Sequence, residues 1–420
     1  MKASEIFTPG KTPTVTLINE HLVERRQLFE DALDQGGMLI SISGPSKSGK
    51  TVFVKSITGS DNLIPVTGAG VNSVDQLWLR VFHQIGTAVS YTESSEETKN
   101  YASTNGAKVS GGLPFLRGEV GLSDTDTSGT KTTSGNTKAV DYLQLLISEL
   151  ANSGLVLFID DFHYIQRDIQ IEVARQIKEA IDKGVVIVCA SVPYHSEDVL
   201  RANSDLRGRV VSIDFDYWKL DILRKIAEVG FEKLNVQVDR ESMNFLASEA
   251  AGSPQLMQSA CLNACYEAKV RVRPDKITVF PNDHHFLKSI CNRTAQSADY
   301  SNTLERLNEG PKTRGTERNQ YRLNDGTVGD VYIIILKAIA ASPPTLHFRY
   351  PELLDRIKAI CETETPVGSS VTGACYQMSL LANDGAQRTI LEWDHSEDVL
   401  NIRDPYLLFF IRWAESFLRN

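Results

Sequence analysis

Short apolar runs alternate along this chain with longer segments in which apolar residues recur at helical spacing. The runs predict strands at 38–42, 62–66, 155–159, 185–190 and 210–213. Every residue from 155 to 159 is apolar, which is typical of a strand buried on both faces at the centre of a parallel sheet. Helical spacing recurs between these runs, for example at Leu77, Trp78, Val81 and Phe82. The first half of the chain therefore predicts an α/β fold built on a parallel sheet.

The C-terminal part of the chain has a different pattern. Helical spacing predicts three helices, at 331–340, 350–360 and 369–381. Two strand-like runs, 389–393 and 399–402, follow with a polar turn between them. Because a winged helix combines three helices with such a hairpin, we predict a winged-helix domain at 331–420.

Composition places the chain among ordinary globular proteins. Its 420 residues are 41% hydrophobic, which allows two or three domains with apolar cores. The sequence has no apolar run of the ~18 residues that span a membrane and no secretory signal, so we expect a cytoplasmic protein without a membrane partner. The six cysteines include no C-x-x-C pair, which argues against a disulfide framework and a zinc site.

The segment after the first predicted strand carries the most specific chemical motif. Residues 44–51 match the phosphate-binding pattern G-x-x-x-x-G-K-[ST] in full. In this pattern the loop N–H groups point at a phosphate, the lysine neutralises β- and γ-phosphate charge, and the hydroxyl binds Mg²⁺. We therefore predict a nucleotide site formed by Gly44, Pro45, Ser46, Lys47, Ser48, Gly49, Lys50 and Thr51.

Two acidic residues, Asp160 and Asp161, follow the all-apolar run. Open α/β sheets bind ligands at the carboxyl ends of their strands, which places Asp160 near the phosphates. We predict that Asp160 and Thr51 hold Mg²⁺ and that Asp161 positions or polarises the attacking water. Taken alone, an Asp-Asp pair fits an ordinary strand-end turn equally well, and it is the upstream loop that favours the metal.

The order of these motifs resembles that of the AAA+ class of P-loop ATPases. More narrowly, it is similar to the prokaryotic signal-transduction ATPases with numerous domains and to the origin-recognition-like ATPases. The resemblance implies ATP as the nucleotide and a polar γ-phosphate sensor after the strand at 185–190, with Ser191 as the candidate and His195 as a second one. It also implies an arginine finger at Arg207 or Arg209 that enters a neighbouring subunit, and hence a homo-oligomer. An ordinary strand-end serine and solvated surface arginines are the alternatives.

Further segments carry the same resemblance. Arg25 begins the run Arg25-Arg26-Gln27-Leu28, which looks like a motif that lies near adenine. The helical segment 216–291 looks like the lid over the nucleotide. Gly252-Ser253-Pro254-Gln255 in it resembles the G-x-P signature of the signal-transduction group, which implies that Pro254 lies at the nucleotide. Pro254 and Gln255 stand where many AAA+ lids carry an arginine.

These patterns divide the chain into four parts. We predict an ATPase core at 1–215, the lid at 216–291, a polar and charged linker at 292–330 and the winged helix at 331–420. Within the core, residues 91–138 are rich in Ser, Thr, Gly and Asn and predict a mobile insertion.

Winged helices often bind DNA, so the charge of this one matters. The helix that would enter the major groove has no Lys or Arg between Ser369 and Asp384, the predicted wing is acidic, and the whole chain carries a net charge of −9. Since phosphate contacts supply most non-specific affinity for DNA, we favour a protein partner or autoinhibitory packing over DNA. A DNA backbone contact stays open through the cations Lys312, Arg314, Arg318, Arg322 and Arg388.

The sequence thus predicts an ATP-hydrolysing molecular switch that needs ATP and Mg²⁺ and controls a protein assembly through its winged helix. The resemblance places such a switch in prokaryotic signalling or defence. Two alternatives stay open. One is a DNA-engaged AAA+ regulator of replication or transposition, and the other is a scaffold that binds ATP without hydrolysing it.

Overall fold

A five-stranded parallel sheet forms the first part of the molecule. The computed structural model describes residues 1–89, 140–192, 206–312, 315, 317–386 and 389–414. The strands are Leu39–Ser43 (β1), Leu63–Thr67 (β2), Val156–Asp160 (β3), Val186–Ser191 (β4) and Val210–Asp214 (β5). They pair in the order β2-β3-β4-β1-β5, with every pairing parallel. This confirms the α/β fold class with a parallel sheet.

Helices cover both faces of the sheet. They are Val23–Gln35 (α2), Lys50–Thr58 (α3), Val74–Ile85 (α4), Tyr142–Leu150 (α5) and Arg167–Asp182 (α6), whereas the first helix of the chain, Ala3–Ile6 (α1), packs with the helices that follow the sheet. One apolar cluster joins α2 and α3 to one face of the sheet, and a second joins α4, α5 and α6 to the other. The first four residues of β3 are buried because they lie between these two clusters.

A group of helices follows the sheet in the segment predicted as the lid. Its elements are Leu220–Lys233 (α7), Val236–Gln237 (β6), Arg240–Glu249 (α8), Pro254–Glu267 (α9), Thr278–Val279 (β7) and His284–Gln296 (α10). Side chains set where two of them begin: Asp239 accepts from the Ser242 amide at the start of α8, and Ser253 accepts from the Leu256 amide at the start of α9.

The segment predicted as a linker contains regular structure. Helix α10 runs into it, and it holds Ser301–Glu309 (α11) and a small hairpin of Tyr321–Arg322 (β8) and Val328–Gly329 (β9). Three residues of α11 are buried, among them Leu304 and Leu307. The polar composition of the segment concealed these apolar positions, which pack against the C-terminal unit.

The C-terminal unit has the three helices and two strands predicted for a winged helix, together with one further strand and a final helix. They are Val331–Ala340 (α12), His347–Arg349 (β10), Tyr350–Ile360 (α13), Gly368–Asn383 (α14), Leu391–Asp394 (β11), Val399–Ile402 (β12) and Pro405–Trp413 (α15). The strands pair antiparallel in the order β10-β12-β11. The sequence analysis missed β10 because three residues are too few to show a periodicity.

One apolar core runs from the N-terminal α1 through the lid helices to α15, whereas the sheet has cores of its own. The lid and the C-terminal unit are thus built as one body.

Gly230 on α7 tests how tightly this shared core is packed. A Cβ there would lie 2.2 Å from Cε1 of the fully buried Phe7. We expect Gly230→Ala to destabilise the protein by about 1–2 kcal/mol in thermal unfolding, although alanine favours a helix by about 1 kcal/mol. Gly373 on α14 is the matched control, since a Cβ there meets open space. A stability gain in both variants would contradict the close packing of Phe7.

Several sequence predictions concern residues outside the described ranges: the insertion at 91–138, His195, Arg314 and Arg388. Within those ranges, no helix is long and apolar enough to cross a membrane.

Candidate functional site

The predicted phosphate-binding loop joins β1 to α3 at the carboxyl end of the sheet. Gly44 has φ of +152°, and a Cβ there would lie 2.4 Å from the Cβ of Phe215. Gly49 has φ of +98° and immediately precedes α3. Both positions therefore require glycine, and the loop leads into the N-terminus of a helix, where backbone N–H groups favour an anion.

Lys50 lies across the loop. Its Nζ donates to the carbonyl oxygens of Gly44 at 2.7 Å and Pro45 at 2.9 Å. Burial lowers the pKa of Lys50 to about 8, although Asp160 and Asp161 favour its charged form. The ammonium is thus held at the mouth of the loop in an environment where a phosphate oxygen would stabilise its charge.

Thr51 and Asp160, predicted as metal ligands, are in contact. Thr51 Oγ1 donates to Asp160 Oδ2 at 3.0 Å, and the other carboxylate oxygen, Oδ1, accepts from the Asp161 amide at 2.9 Å. A hydroxyl and one carboxylate are the hard oxygen ligands that Mg²⁺ uses together with phosphate oxygens and water. The donor set therefore fits Mg²⁺ bound to a nucleotide. No larger cluster of His, Cys, Asp or Glu that could hold a metal occurs in the described part of the chain.

Two buried hydroxyls lie beside the loop. Ser191 ends β4, and its carbonyl oxygen accepts from the Gly44 amide at 3.2 Å. Within the described residues, the buried Oγ atoms of Ser191 and Ser48 have no hydrogen-bond partner. Since a buried hydroxyl without a partner is unfavourable, these atoms fit a site that receives a polar ligand. Ser191 lies where the sequence analysis placed the γ-phosphate sensor.

The loop opens into a cleft of about 930 Å³ between the sheet, the lid and the C-terminal unit. Pro254, at the first turn of α9, is among the residues that line it. Residues 8–13 and 16–19 of the N-terminal segment line the same end, although the sequence analysis did not select them. The Thr-Pro-Gly composition of residues 8–13 indicated a loop and carried no further signal. Trp218 closes the cleft from the lid side, where its Nε1 donates to the Ser48 carbonyl at 3.0 Å.

The structure places Arg25 at the end of β5. Its Nε donates to the carbonyl oxygen of Asp214 at 2.6 Å, and its Nη2 lies 3.2 Å from Oδ2 of Asp216. The guanidinium also lies 5.6 Å from the centre of the Phe215 ring. Arg25 thus fixes the segment behind the loop, and it is not among the residues that line the cleft.

Arg207 and Arg209, the two candidate fingers, lie away from the loop before β5. Arg207 is exposed, and the exposed Arg209 forms an ion pair with Asp182 of α6 in the same chain. Arg207 is therefore the candidate finger whose exposed position suits contact with a neighbouring subunit. Arg209 is instead paired within its own chain.

The C-terminal unit reaches the phosphate loop. Lys47 Nζ lies 2.6 and 2.7 Å from the two carboxylate oxygens of Asp404, which follows β12. The ammonium also lies 4.3 Å from the centre of the Tyr406 ring. Tyr300 donates its hydroxyl to Asp404 Oδ2 at 2.8 Å, and burial together with Asp404 raises the pKa of Tyr300, so the phenol stays protonated. Asp404 is thus fixed against the loop.

Two further contacts bring the C-terminal unit to the cleft. The Thr389 amide donates to the hydroxyl of Tyr164, which lies just after Asp161. Arg403 lines the cleft and donates to Glu392 through Nε at 2.6 Å and through Nη2. The sequence analysis missed Arg403 and Asp404. Their only mark in the sequence is that these two adjacent charged residues separate the apolar runs of β12 and α15.

Comparisons with known proteins do not assign a family to the chain. No family model matches the chain, and no curated protein matches it. Among solved structures, Cdc6p from Pyrobaculum aerophilum is 14% identical, with 97% of this chain and 96% of that chain covered and a TM-score of 0.45. A Walker-type ATPase of Pyrococcus abyssi is 13% identical over 93% and 95%, with a TM-score of 0.48. The ORC2 protein of Aeropyrum pernix is 11% identical over 99% and 97%, with a TM-score of 0.48.

Proposed function

We propose that this protein is an AAA+-type ATPase that binds and hydrolyses ATP with Mg²⁺ and acts as a switch. The observation that carries the proposal is the ion pair between Lys47 of the phosphate loop and Asp404 of the C-terminal unit. Because one partner belongs to the loop that would hold the nucleotide, the contact between the two units depends on what the loop holds.

The residues around the loop have separate tasks in this proposal. Lys50 and the loop N–H groups hold the phosphates, and Ser48 and Ser191 offer hydroxyls to the phosphate oxygens. Thr51 and Asp160 hold Mg²⁺, which neutralises charge on the β- and γ-phosphates. Asp161 orients the attacking water through its carboxylate. Residues 8–19 and Pro254 enclose the base.

The charge of the nucleotide supplies the switching step. A polyphosphate in the loop attracts Lys47 and repels the carboxylate of Asp404, so it competes directly with their ion pair. The side chains of Lys47 and Asp404 are 24% and 22% exposed, which limits screening by water and salt. Nucleotide binding therefore changes how the C-terminal unit is anchored to the sheet.

The surface of the C-terminal unit favours a protein as the downstream partner. Helix α14 contains no Lys or Arg, and Tyr376 and Leu380 are exposed on it at 40% and 50%. The neighbouring wing carries Asp394, Glu397 and Asp398. An uncharged helix beside an acidic wing gives a DNA backbone almost no cation to contact, whereas it suits a protein surface.

The proposal also includes self-association of the protein through Arg207.

The variant Asp404→Asn tests the switch contact. Asparagine keeps the cap that Asp404 forms with the Tyr406 amide but removes the charge that holds Lys47. We expect amides of 399–413 to exchange hydrogen at least about tenfold faster without nucleotide, since a charged hydrogen bond contributes about 1.5–3 kcal/mol. Asp384→Asn, which loses an exposed ion pair with Arg306, is the matched control and should exchange as the wild type does.

Hydrolysis and binding measurements decide between the alternatives. Phosphate release by the wild type that is lost in Asp161→Ala supports the ATPase. Nucleotide recovered intact after long incubation would support the non-hydrolysing scaffold instead. Activity or assembly that requires DNA and weakens steeply with salt would support the DNA-engaged regulator. Equal exchange rates in Asp404→Asn and the wild type would contradict the switch contact.

A further inference from the structure

Arg403 is fixed at the edge of the cleft by the hairpin of the C-terminal unit. It follows β12 directly, and its amide donates to the Ile390 carbonyl at 2.8 Å. The side chain of Arg403 is only 9% exposed, and its Nε and Nη2 both donate to one oxygen of Glu392. A buried arginine that lines a ligand cleft is costly unless an anion compensates its charge.

The surroundings of Arg403 place it at the phosphate end of the cleft. Tyr164 lies three residues after Asp161, and its hydroxyl accepts from the Thr389 amide at 3.0 Å. Thr389 is followed by Ile390, whose carbonyl holds the Arg403 backbone. Arg403 is thus linked through Ile390, Thr389 and Tyr164 to the segment that follows Asp161, near which the terminal phosphate would lie. Residues 8–13, 16–19 and Pro254 also line the cleft, and they are the residues that the proposed function assigns to the base.

The charges at this end call for an anion. Lys50 of the loop and Arg403 of the C-terminal unit line the same cleft, and Arg403 disfavours the charged form of Lys50. Glu392 neutralises Arg403 from the side of the hairpin. A phosphate bound by Lys50 would compensate Arg403 as well if it took the place of Glu392, and the planar guanidinium suits two phosphate oxygens at once.

We propose that Arg403 recognises the terminal phosphate of ATP by exchanging Glu392 for it, so that the C-terminal unit distinguishes ATP from ADP within one chain. This inference rests on the proposed function, because it requires a nucleotide in the loop. With ATP, Asp404 loses Lys47 while Arg403 gains the γ-phosphate. With ADP, Arg403 stays paired with Glu392. The recognising arginine then comes from the same chain and not from a neighbouring subunit or from the lid.

Substitutions of Arg403 and of Glu392 are expected to change the preference for ATP over ADP in opposite directions. Dissociation constants for ADP and for a non-hydrolysable ATP analogue with Mg²⁺ are measured by calorimetry on the full chain. We expect Arg403→Gln to weaken the ATP analogue at least about tenfold and ADP less than about threefold. Glu392→Gln removes the competing carboxylate, so we expect it to strengthen the ATP analogue relative to ADP.

The expected result differs if the Arg403–Glu392 ion pair has only a structural role. Both variants would then lose the same interaction and change the two affinities in the same direction, which would overturn the proposal. Arg403→Lys should restore part of the preference for ATP, because it keeps the charge. If thermal unfolding shows that Arg403→Gln is not folded, Glu392→Gln alone tests the proposal. An unchanged preference for the ATP analogue over ADP in that variant then contradicts it. A wild type that binds neither nucleotide would instead contradict the proposed function itself.

Discussion

Lys50→Ala is expected to abolish the stabilisation of this protein by ATP and Mg²⁺. At a ligand concentration about 100 times its dissociation constant, the wild type should gain about 2.7 kcal/mol in unfolding free energy, whereas the variant should gain nothing. The reason is that Lys50 supplies the cation at the mouth of the loop, between Gly44, Pro45 and the acidic pair after β3. Thermal unfolding with and without ATP and Mg²⁺ measures the difference.

The same substitution should have little effect without nucleotide. Burial disfavours the charged form of Lys50, so removing the ammonium offsets the loss of its two hydrogen bonds to loop carbonyls. Lys183→Ala serves as the control, since Lys183 is exposed after α6 and should leave the ATP shift intact. An ATP shift of wild-type size in Lys50→Ala would contradict the assignment of 44–51 as the phosphate site.

The sheet and the phosphate loop were predictable because both depend on local patterns. Apolar runs of four to six residues mark the strands, and Gly44 and Gly49 meet a steric requirement that any fold with this turn imposes. The contact between Thr51 and Asp160 also followed, since parallel strands end at one edge of a sheet. Chemistry at the carboxyl ends of the strands is therefore readable from the sequence.

The contribution of the C-terminal unit to the cleft was not predictable. Lys47 and Asp404 lie 357 positions apart, and their meeting depends on how the lid and the C-terminal unit pack against the sheet. No periodicity or spacing in the sequence marks Arg403, because the packing of the whole C-terminal unit is what places this residue at the cleft. Arg25 shows the same limit, since its partners on and after β5 depend on the placement of α2.

The two kinds of contact in this molecule have different energetic roles. The lid and the C-terminal unit share an apolar core, which no nucleotide charge can loosen. The contacts of the C-terminal unit with the first part of the chain that are described above are polar, with Lys47 of the phosphate loop and with Tyr164 after β3. Such contacts respond to a charged ligand. The lid and the C-terminal unit thus form one apolar body, and its polar contacts with the first part of the chain are ones that a nucleotide can change.

Glu249→Ala is expected to disrupt that body and to have the largest effect on stability. Glu249, at the end of α8, accepts hydrogen bonds from Nε and Nη2 of Arg412 and from Nε1 of Trp413, both on α15. The side chains of Arg412 and Glu249 are 7% and 6% exposed. Removing Glu249 leaves a buried guanidinium without its counter-charge, which costs about 3–5 kcal/mol. Hydrogen exchange of 405–413 measures the loss as a lower opening free energy.

Asp355→Ala is the control for Glu249→Ala, because Asp355 and its partner Lys358 are 77% and 62% exposed and such pairs contribute at most about 1 kcal/mol. Glu249→Ala should also uncouple the switch. In this variant α15 is no longer held to the lid, so the contact of Asp404 with Lys47 is uncoupled from the lid. ATP and ADP should then produce the same hydrogen-exchange pattern in 399–413. A variant with wild-type exchange in α15, or one that retains the nucleotide-dependent pattern, would show that the apolar core alone joins the lid to the C-terminal unit.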